Sequence, residues 1–205
     1  MRLESRENTQ FAISGINHLA LVCKDMERTV HFYRDVMGMP LLKTIDLPNN
    51  MGQHFFFDIG NGDSLAFFWF PGAPAAAPGI ASPAHAPGQG EMLTAHGSMN
   101  HVAFDVPEEK FEEYHAKAKA IGLNPTPIIN HDDSSRGIAR EMYPGVFVRS
   151  FYFMDPDGIL LEFATWTRVF TAADVSHTPA TAADVAKFIA PAAPQRQRER
   201  ELVTA

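Results

Sequence analysis

The chain has 205 residues, 45% of them hydrophobic and 20% charged, which is enough to bury a core in one domain or in two small halves that share one. A net charge of -7 and a pI near 5.7 leave no broad basic surface to neutralise phosphates, so a nucleic-acid partner is excluded and a small neutral or metal-ligating substrate is favoured. Cys23 is the single cysteine, no run approaches the roughly 18 apolar residues of a membrane span, and Met1 to Glu7 lacks the apolar stretch of a signal peptide; a cytoplasmic protein without disulfides is expected.

Residues 1–13 are polar and read as an arm. Ser14 to Val22 is apolar on both faces, as expected of a strand covered on both sides. Asp25 then stands as the N-cap of a helix to Met37, in which Met26, Val30, Phe32 or Tyr33, and Val36 or Met37 recur at spacings of three and four before Gly38 closes it. Pro40 to Asp46, Gln53 to Ile59 and Ser64 to Phe70 read as three strands, parted by Pro48-Asn49-Asn50 and by the tight-turn signal Gly60-Asn61-Gly62-Asp63. Residues 14–70 therefore form a βαβββ module.

Residues 71–97 carry Pro71, Pro74, Pro78, Pro83 and Pro87 among Ala and Gly, which suits a linker or a surface excursion and neither ladder nor helix. Residues 98–168 repeat the first order: a strand from Asn100 to Val106, a helix opened by Pro107-Glu108-Glu109 and closed at Gly122, and strands over Thr126 to Asn130, Val146 to Met154 and Ile159 to Trp166. Residues 169–205 are a tail in which Thr171-Ala172-Ala173-Asp174-Val175 recurs as Thr181-Ala182-Ala183-Asp184-Val185; a partly helical segment with a charged end at Gln195 to Glu201 is expected.

The two modules open alike. Asn17-His18 and Asn100-His101 each precede an apolar run, and the offset 101 − 18 = 83 places two histidines at equivalent points of two similar halves. Glu162 lies mid-strand in Leu160-Leu161-Glu162-Phe163, where burying an ionised carboxylate is costly unless a cation compensates. If the first strands of the modules adjoin or face one another, His18, His101 and Glu162 converge on one divalent metal ion.

The paired βαβββ order, the two histidines, the segment Phe32-Tyr33-Arg34-Asp35-Val36-Met37-Gly38-Met39 and the turn Asp155-Pro156-Asp157-Gly158 with Glu162 beyond it resemble the vicinal oxygen chelate superfamily, which includes glyoxalase I, type I extradiol dioxygenases and the fosfomycin- and bleomycin-resistance proteins. The resemblance covers roughly residues 14–167 and implies an α+β fold, two βαβββ modules forming a metal-centred, open barrel-like sheet. It implies that His18, His101 and Glu162 are the metal ligands. Glyoxalase-like members carry a fourth ligand on the last strand of the first module; the aligned position here is Phe67, or Ala66 if the register slips by one, and neither binds metal. The remaining two histidines and one carboxylate match the facial triad of Fe(II) oxygenases. By the same resemblance Tyr152 is expected to bond a substrate oxygen, with His85 or His96 as acid-base partner.

His54, Phe57, Phe67, Trp69, His131 and Arg149 are expected to line the substrate pocket, since Phe55, Phe57, Phe67 and Trp69 alternate along their strands. The expectation is an extradiol-type ring-cleaving dioxygenase of a catecholic substrate, using O₂ and Fe(II) or Mn(II), and working as a homodimer away from nucleic acid and membrane. The alternatives are a glyoxalase-like lyase or isomerase using Zn(II) or Ni(II), with His54 or water as fourth ligand, and a bleomycin-resistance-like binding protein without metal. Whether the site lies within one chain or between two stays open.

Overall fold

The computed structural model describes residues 10–185, so most of the expected arm and the whole charged end at 195–201 lie outside the described residues. The chain divides into two compact units, Met1–Val169 and Phe170–Ala205. In the second, the repeated Thr-Ala-Ala-Asp segments open two short 3₁₀ turns, Ala172–Val175 and Ala182–Asp184. Each has a capping box, in which Asp174 and Asp184 accept the backbone N–H of Thr171 and Thr181 at 2.6 and 2.9 Å.

The first unit holds two sheets. One comprises β1 (His18–Cys23), β2 (Leu41–Asp46), β3 (Gln53–Gly60) and β4 (Asp63–Trp69) in the order β1-β4-β3-β2, with β1 parallel to β4. The other comprises β5 (Val102–Asp105), β6 (Ile129–His131), β7 (Ile138–Ala139), β8 (Val148–Met154) and β9 (Leu160–Trp166) in the order β5-β9-β8-β6-β7, with β5 parallel to β9. The first strands β1 and β5 do not pair with each other; each is the edge of its own sheet. The short β7 has no counterpart in the sequence pattern, because two residues carry no periodicity.

Helix α1 (Met26–Val30) starts where Asp25 accepts the N–H of Arg28 at 3.0 Å and continues as a π-helical stretch, His31–Val36. Helix α2 (Phe111–Ala120) ends at Gly122, whose φ of +82° lets the chain turn away. One apolar core joins both modules: Tyr33, Phe57, Leu65 and Phe67 from the first and Phe111, Phe151, Phe153 and Leu161 from the second are all buried in it. Polar contacts add to the join, since Asp157 accepts the N–H of Lys24 at 2.8 Å and pairs with the Arg28 guanidinium.

Only one face of each sheet is covered this way. Along β1, Leu19, Leu21 and Cys23 turn to the core while His18, Ala20 and Val22 are exposed, which corrects the expectation of a strand covered on both sides. Residues 71–97 are packed more closely than a linker: Ala86 is buried against Tyr152 and Leu160, and Met92 packs beside it.

Candidate metal centre

The repeated Asn-His pair has a common local geometry. The Asn100 amide nitrogen donates to the Met92 carbonyl at 2.9 Å, which turns its oxygen toward His101 Nδ1 at 2.8 Å. An amide oxygen only accepts, so Nδ1 carries the proton and Nε2 is left as the nitrogen with a lone pair. Asn17 Oδ1 stands 2.8 Å from His18 Nδ1 in the same way. Metal-ligating histidines are oriented by such contacts.

His101 Nε2 lies 2.9 Å from Glu162 Oε2. A nitrogen lone pair and a carboxylate oxygen cannot share that distance without a proton or a cation between them, so the donor set suits a divalent ion. Burial pushes the Glu162 carboxyl up; the His101 imidazole beside it and the Tyr152 and Ser150 hydroxyls outweigh it and leave the group below the ordinary glutamate range.

Strand register shows what the first module has at the corresponding points. In the second sheet Glu162 pairs with Ala103 on one side and Tyr152 on the other. In the first sheet Ala66 pairs with Ala20 and Phe56. Since Ala20 and Ala103 are 83 residues apart, Ala66 occupies the place of Glu162 and Phe56 that of Tyr152. The reading that gave Phe67 first place for the fourth ligand is thereby corrected to Ala66, which has no donor. The two histidines retain matching neighbours: His18 meets the Phe56 ring edge-on at 5.6 Å and His101 meets Tyr152 edge-on at 5.7 Å.

A polar cluster extends from Glu162 into the second sheet. Tyr152 bonds to Glu162, Ser150 Oγ donates to Tyr152 Oη at 3.3 Å, and His131 Nε2 lies 2.9 Å from Ser150 Oγ. Burial raises the Tyr152 phenol, keeping it neutral, and burial lowers His131.

A family model described as the Glyoxalase/Bleomycin resistance protein/Dioxygenase superfamily matches residues 15–163, which include all of these side chains. The chain belongs to that superfamily. Among relatives of this superfamily member, the metallothiol transferase FosB of Shouchella clausii is 25% identical over 174 residues, 84% of this chain and 92% of the relative. The putative ring-cleaving dioxygenase MhqE of Bacillus subtilis is 26% identical over 114 residues, 54% of this chain and only 32% of that longer protein. The crystal structure of a glyoxalase family protein from Enterococcus faecalis superposes with a TM-score of 0.51 at 22% identity, covering 73% of this chain and 96% of that one, a likeness of fold.

The remaining expected residues separate into two groups. Within the superfamily scaffold, His54 lies on the same sheet face as His18, with ring centroids 6.5 Å apart; its ring stacks on Phe68 at 3.6 Å and its Nδ1 lies 3.1 Å from the Phe67 carbonyl. His18 itself is not gathered with His101 and Glu162: among the described residues no three His, Cys, Asp or Glu side chains lie close enough to hold one ion. Phe57 and Phe67 are corrected from pocket wall to core, because both are fully buried and pack on Tyr33 at 5.7 and 4.8 Å. Trp69 lies partly buried against the same core and lines an open surface cavity of about 800 Å³ with Lys24, Gln53 and Pro71, away from the His18 face. Arg149 sits on the helix side of its sheet, held by Glu112 and Asn130 over the Phe111 ring, so it does not serve the site. The His85 ring is exposed and lies against Gly90, and His96 is exposed in the turn closed by Ser98 on Ala95; neither joins the cluster around Glu162.

Residues not singled out from the sequence are Ser150, Phe56, Phe68 and the two asparagines as orienting groups. For Asn17 and Asn100 the signal was present in the repeat. For Ser150 there was none, since a small serine two residues before Tyr152 in an aromatic strand is an ordinary residue and its other partner, His131, is 19 residues away in sequence.

Proposed function

We propose that this protein is a divalent-metal enzyme in which His18, His101 and Glu162 hold the ion, and that it cleaves the ring of a catecholic substrate with O₂. The observation that carries the reading is the approach of His101 Nε2 to Glu162 Oε2 at 2.9 Å with His101 Nδ1 already engaged, opposite a first module whose matching position is Ala66. Three protein donors leave room on an octahedral ion for two substrate oxygens and O₂. When bound, Fe(II) supplies Lewis acidity and one-electron chemistry. The protein's own groups orient the substrate: Tyr152, neutral and bonded to Glu162, offers a hydroxyl to a substrate oxygen, and the Phe56 and Phe68 rings around His54 suit a flat partner.

In this reading a complete site needs two copies of the chain. His18, with Ala20 and Val22, is on an exposed face and is apart from the His101–Glu162 pair. His18 of one copy against His101 and Glu162 of a second completes the ligand set in a homodimer, and the aromatic face then closes over the substrate.

Reconstitution with Fe(II) under anaerobic conditions, followed by a panel of catechols with oxygen-uptake readout, tests the proposal. Uptake with ring-cleaved product is expected, and no uptake with any catechol sinks the oxygenase assignment. A second reading is favoured by one observation: FosB, named a metallothiol transferase, aligns over nearly its whole length, whereas MhqE aligns over a third of its own. That reading expects thiol consumption without oxygen in the presence of Mn(II), Zn(II) or Ni(II), and the same preparation assayed anaerobically with a small thiol and an electrophile decides between them.

A further inference from the structure

The excursion between the modules has a built shape over its second half. The Ala95 N–H donates to the Ile80 carbonyl at 2.9 Å, so the segment between them leaves and returns at one point, as an Ω-loop does. Inside it the Gln89 N–H donates to the Ala86 carbonyl at 3.0 Å, and the His85 ring lies so close to the Gly90 backbone that a Cβ there would meet it at 2.4 Å. Pro83 and Pro87 fix two of its φ angles, so less chain freedom is lost in holding the shape.

The loop is fastened to the second sheet on the same face as Glu162. Pro83 is fully buried, and Ala86 is buried against Tyr152 and Leu160 with Met92 packed beside them. Leu160 and Glu162 alternate onto one face of β9, and Tyr152 pairs with Glu162 across the ladder. The Met92 carbonyl accepts from the Asn100 amide at 2.9 Å, and Asn100 is the residue that orients His101. Met92 therefore stands at the rim of the candidate centre, half-buried, between the tyrosine and the asparagine.

We propose that the loop from Ile80 to Ala95 is a fixed wall of the site and that Met92 sets which catechols it admits, by closing the space beside Tyr152. The inference rests on the reading of the site as one for a catecholic substrate with an oxygen at Tyr152. A substituent next to that oxygen turns toward Met92, whereas a substituent on the far edge of the ring does not. A single group beside one oxygen can be turned away by exchanging the two oxygens; a group beside each oxygen cannot. The class admitted is a catechol with at least one unsubstituted position next to a hydroxyl. Closely packed apolar contacts do not make room for added methyl groups without loss of packing, so a wall held in this way excludes rather than yields.

The isomers 3,6-dimethylcatechol and 4,5-dimethylcatechol carry the same groups in different places, so the ratio of their affinities isolates shape. Calorimetric titration of each into the Mn(II)-loaded full chain without oxygen is expected to show the 4,5-isomer binding at least about tenfold more tightly. Met92→Ala is expected to bring the two within about threefold, by tightening the 3,6-isomer, and Met92→Leu, of similar volume, to keep the discrimination. If Met92 only fastens the loop, Met92→Ala weakens both isomers alike and leaves their ratio as it was. That outcome overturns the proposal, and so does equal affinity of the wild-type protein for the two isomers.

Amide hydrogen exchange of the metal-free protein is a readout independent of any ligand. The Ala95 and Gln89 N–H groups are expected to be protected; exchange of both at the rate of an open chain overturns the fixed wall whatever the binding data. Wild-type protein that holds Mn(II) but binds neither isomer nor catechol itself defeats the catechol reading and this inference together. Binding of the 4,5-isomer without discrimination against the 3,6-isomer defeats this inference alone.

Discussion

The hydroxyl of Tyr33 donates to Asp155 Oδ2 at 3.1 Å, joining the helix of the first module to the hairpin turn of the second. The other oxygen of Asp155 accepts the N–H groups of Asp157 and Ile159, both at 2.8 Å. Two sequence motifs, Phe32-Tyr33 and Asp155-Pro156-Asp157-Gly158, are therefore the two sides of one buried contact. Burial outweighs these hydrogen bonds and pushes the Asp155 carboxyl up to about 6.

The sign of the resulting pH dependence is set by which state binds the proton more tightly. Between about pH 4 and pH 6 the folded protein holds a proton on Asp155 that the unfolded chain has released, so this residue makes stability fall as pH rises through that window. The swing amounts to roughly 1–3 kcal/mol. Asp155→Asn retains an oxygen for the two backbone N–H groups and cannot titrate, so its urea midpoint, compared with wild type at pH 4.5 and pH 7, is expected to lose that dependence. An identical slope in the two proteins would remove Asp155 as its source.

The asparagines before the two histidines are expected to matter to metal binding and little to folding. Asn17→Ala leaves His18 free to rotate and to choose its tautomer, and a loss of about 10- to 100-fold in metal affinity follows from the removal of such an orienting contact. Asn100→Ala should lose more, because the same amide also fastens the Met92 carbonyl of the excursion. Calorimetric titration with Mn(II), with circular dichroism as the check on folding, measures both. Unchanged affinity in both variants would mean the asparagines do not orient ligands.

Adjacent phenylalanines on β3 should behave as opposites. Phe57 is fully buried against Tyr33 and Phe67, so Phe57→Ala is expected to cost about 3–5 kcal/mol. Phe56 lies on the other face beside His18 and His54, so Phe56→Ala should cost much less stability and instead weaken substrate binding. Thermal unfolding and KM, measured on the same two variants, check the pair.

That contrast also marks the boundary of what could be read in the chain. Alternation along Phe55, Phe56 and Phe57 establishes that a strand has two faces, but both faces are aromatic here and nothing local says which one meets the helix. The choice of Phe67 over Ala66 failed for the same reason, since a slip of one residue exchanges the faces and the register is settled only by pairing with β1 and β3. The module order, the helix limits at Gly38 and Gly122, and the Asn-His repeat were legible because each depends on residues close in sequence. The association of His131 with Ser150 and the packing of Ala86 on Tyr152 join distant segments through ordinary residue types, and they leave no pattern in the chain.

The strongest test concerns where the ligands come from. His18 is separate from the His101–Glu162 pair within the described chain, and the proposed function therefore requires an ion held between copies. His18→Ala and Glu162→Ala should each be inactive as purified homodimers. Mixed, unfolded and refolded together, half of the dimers combine the two variants; in those, one site carries both lesions and the other carries neither. Recovery of roughly a quarter of wild-type activity is therefore expected from an equal mixture, as two-fold symmetry requires. A site built within a single chain gives no recovery at any mixing ratio, because every chain then carries one broken ligand set. Size-exclusion chromatography of the mixture checks that dimers have reformed, so that an absence of activity counts against the shared site rather than against refolding.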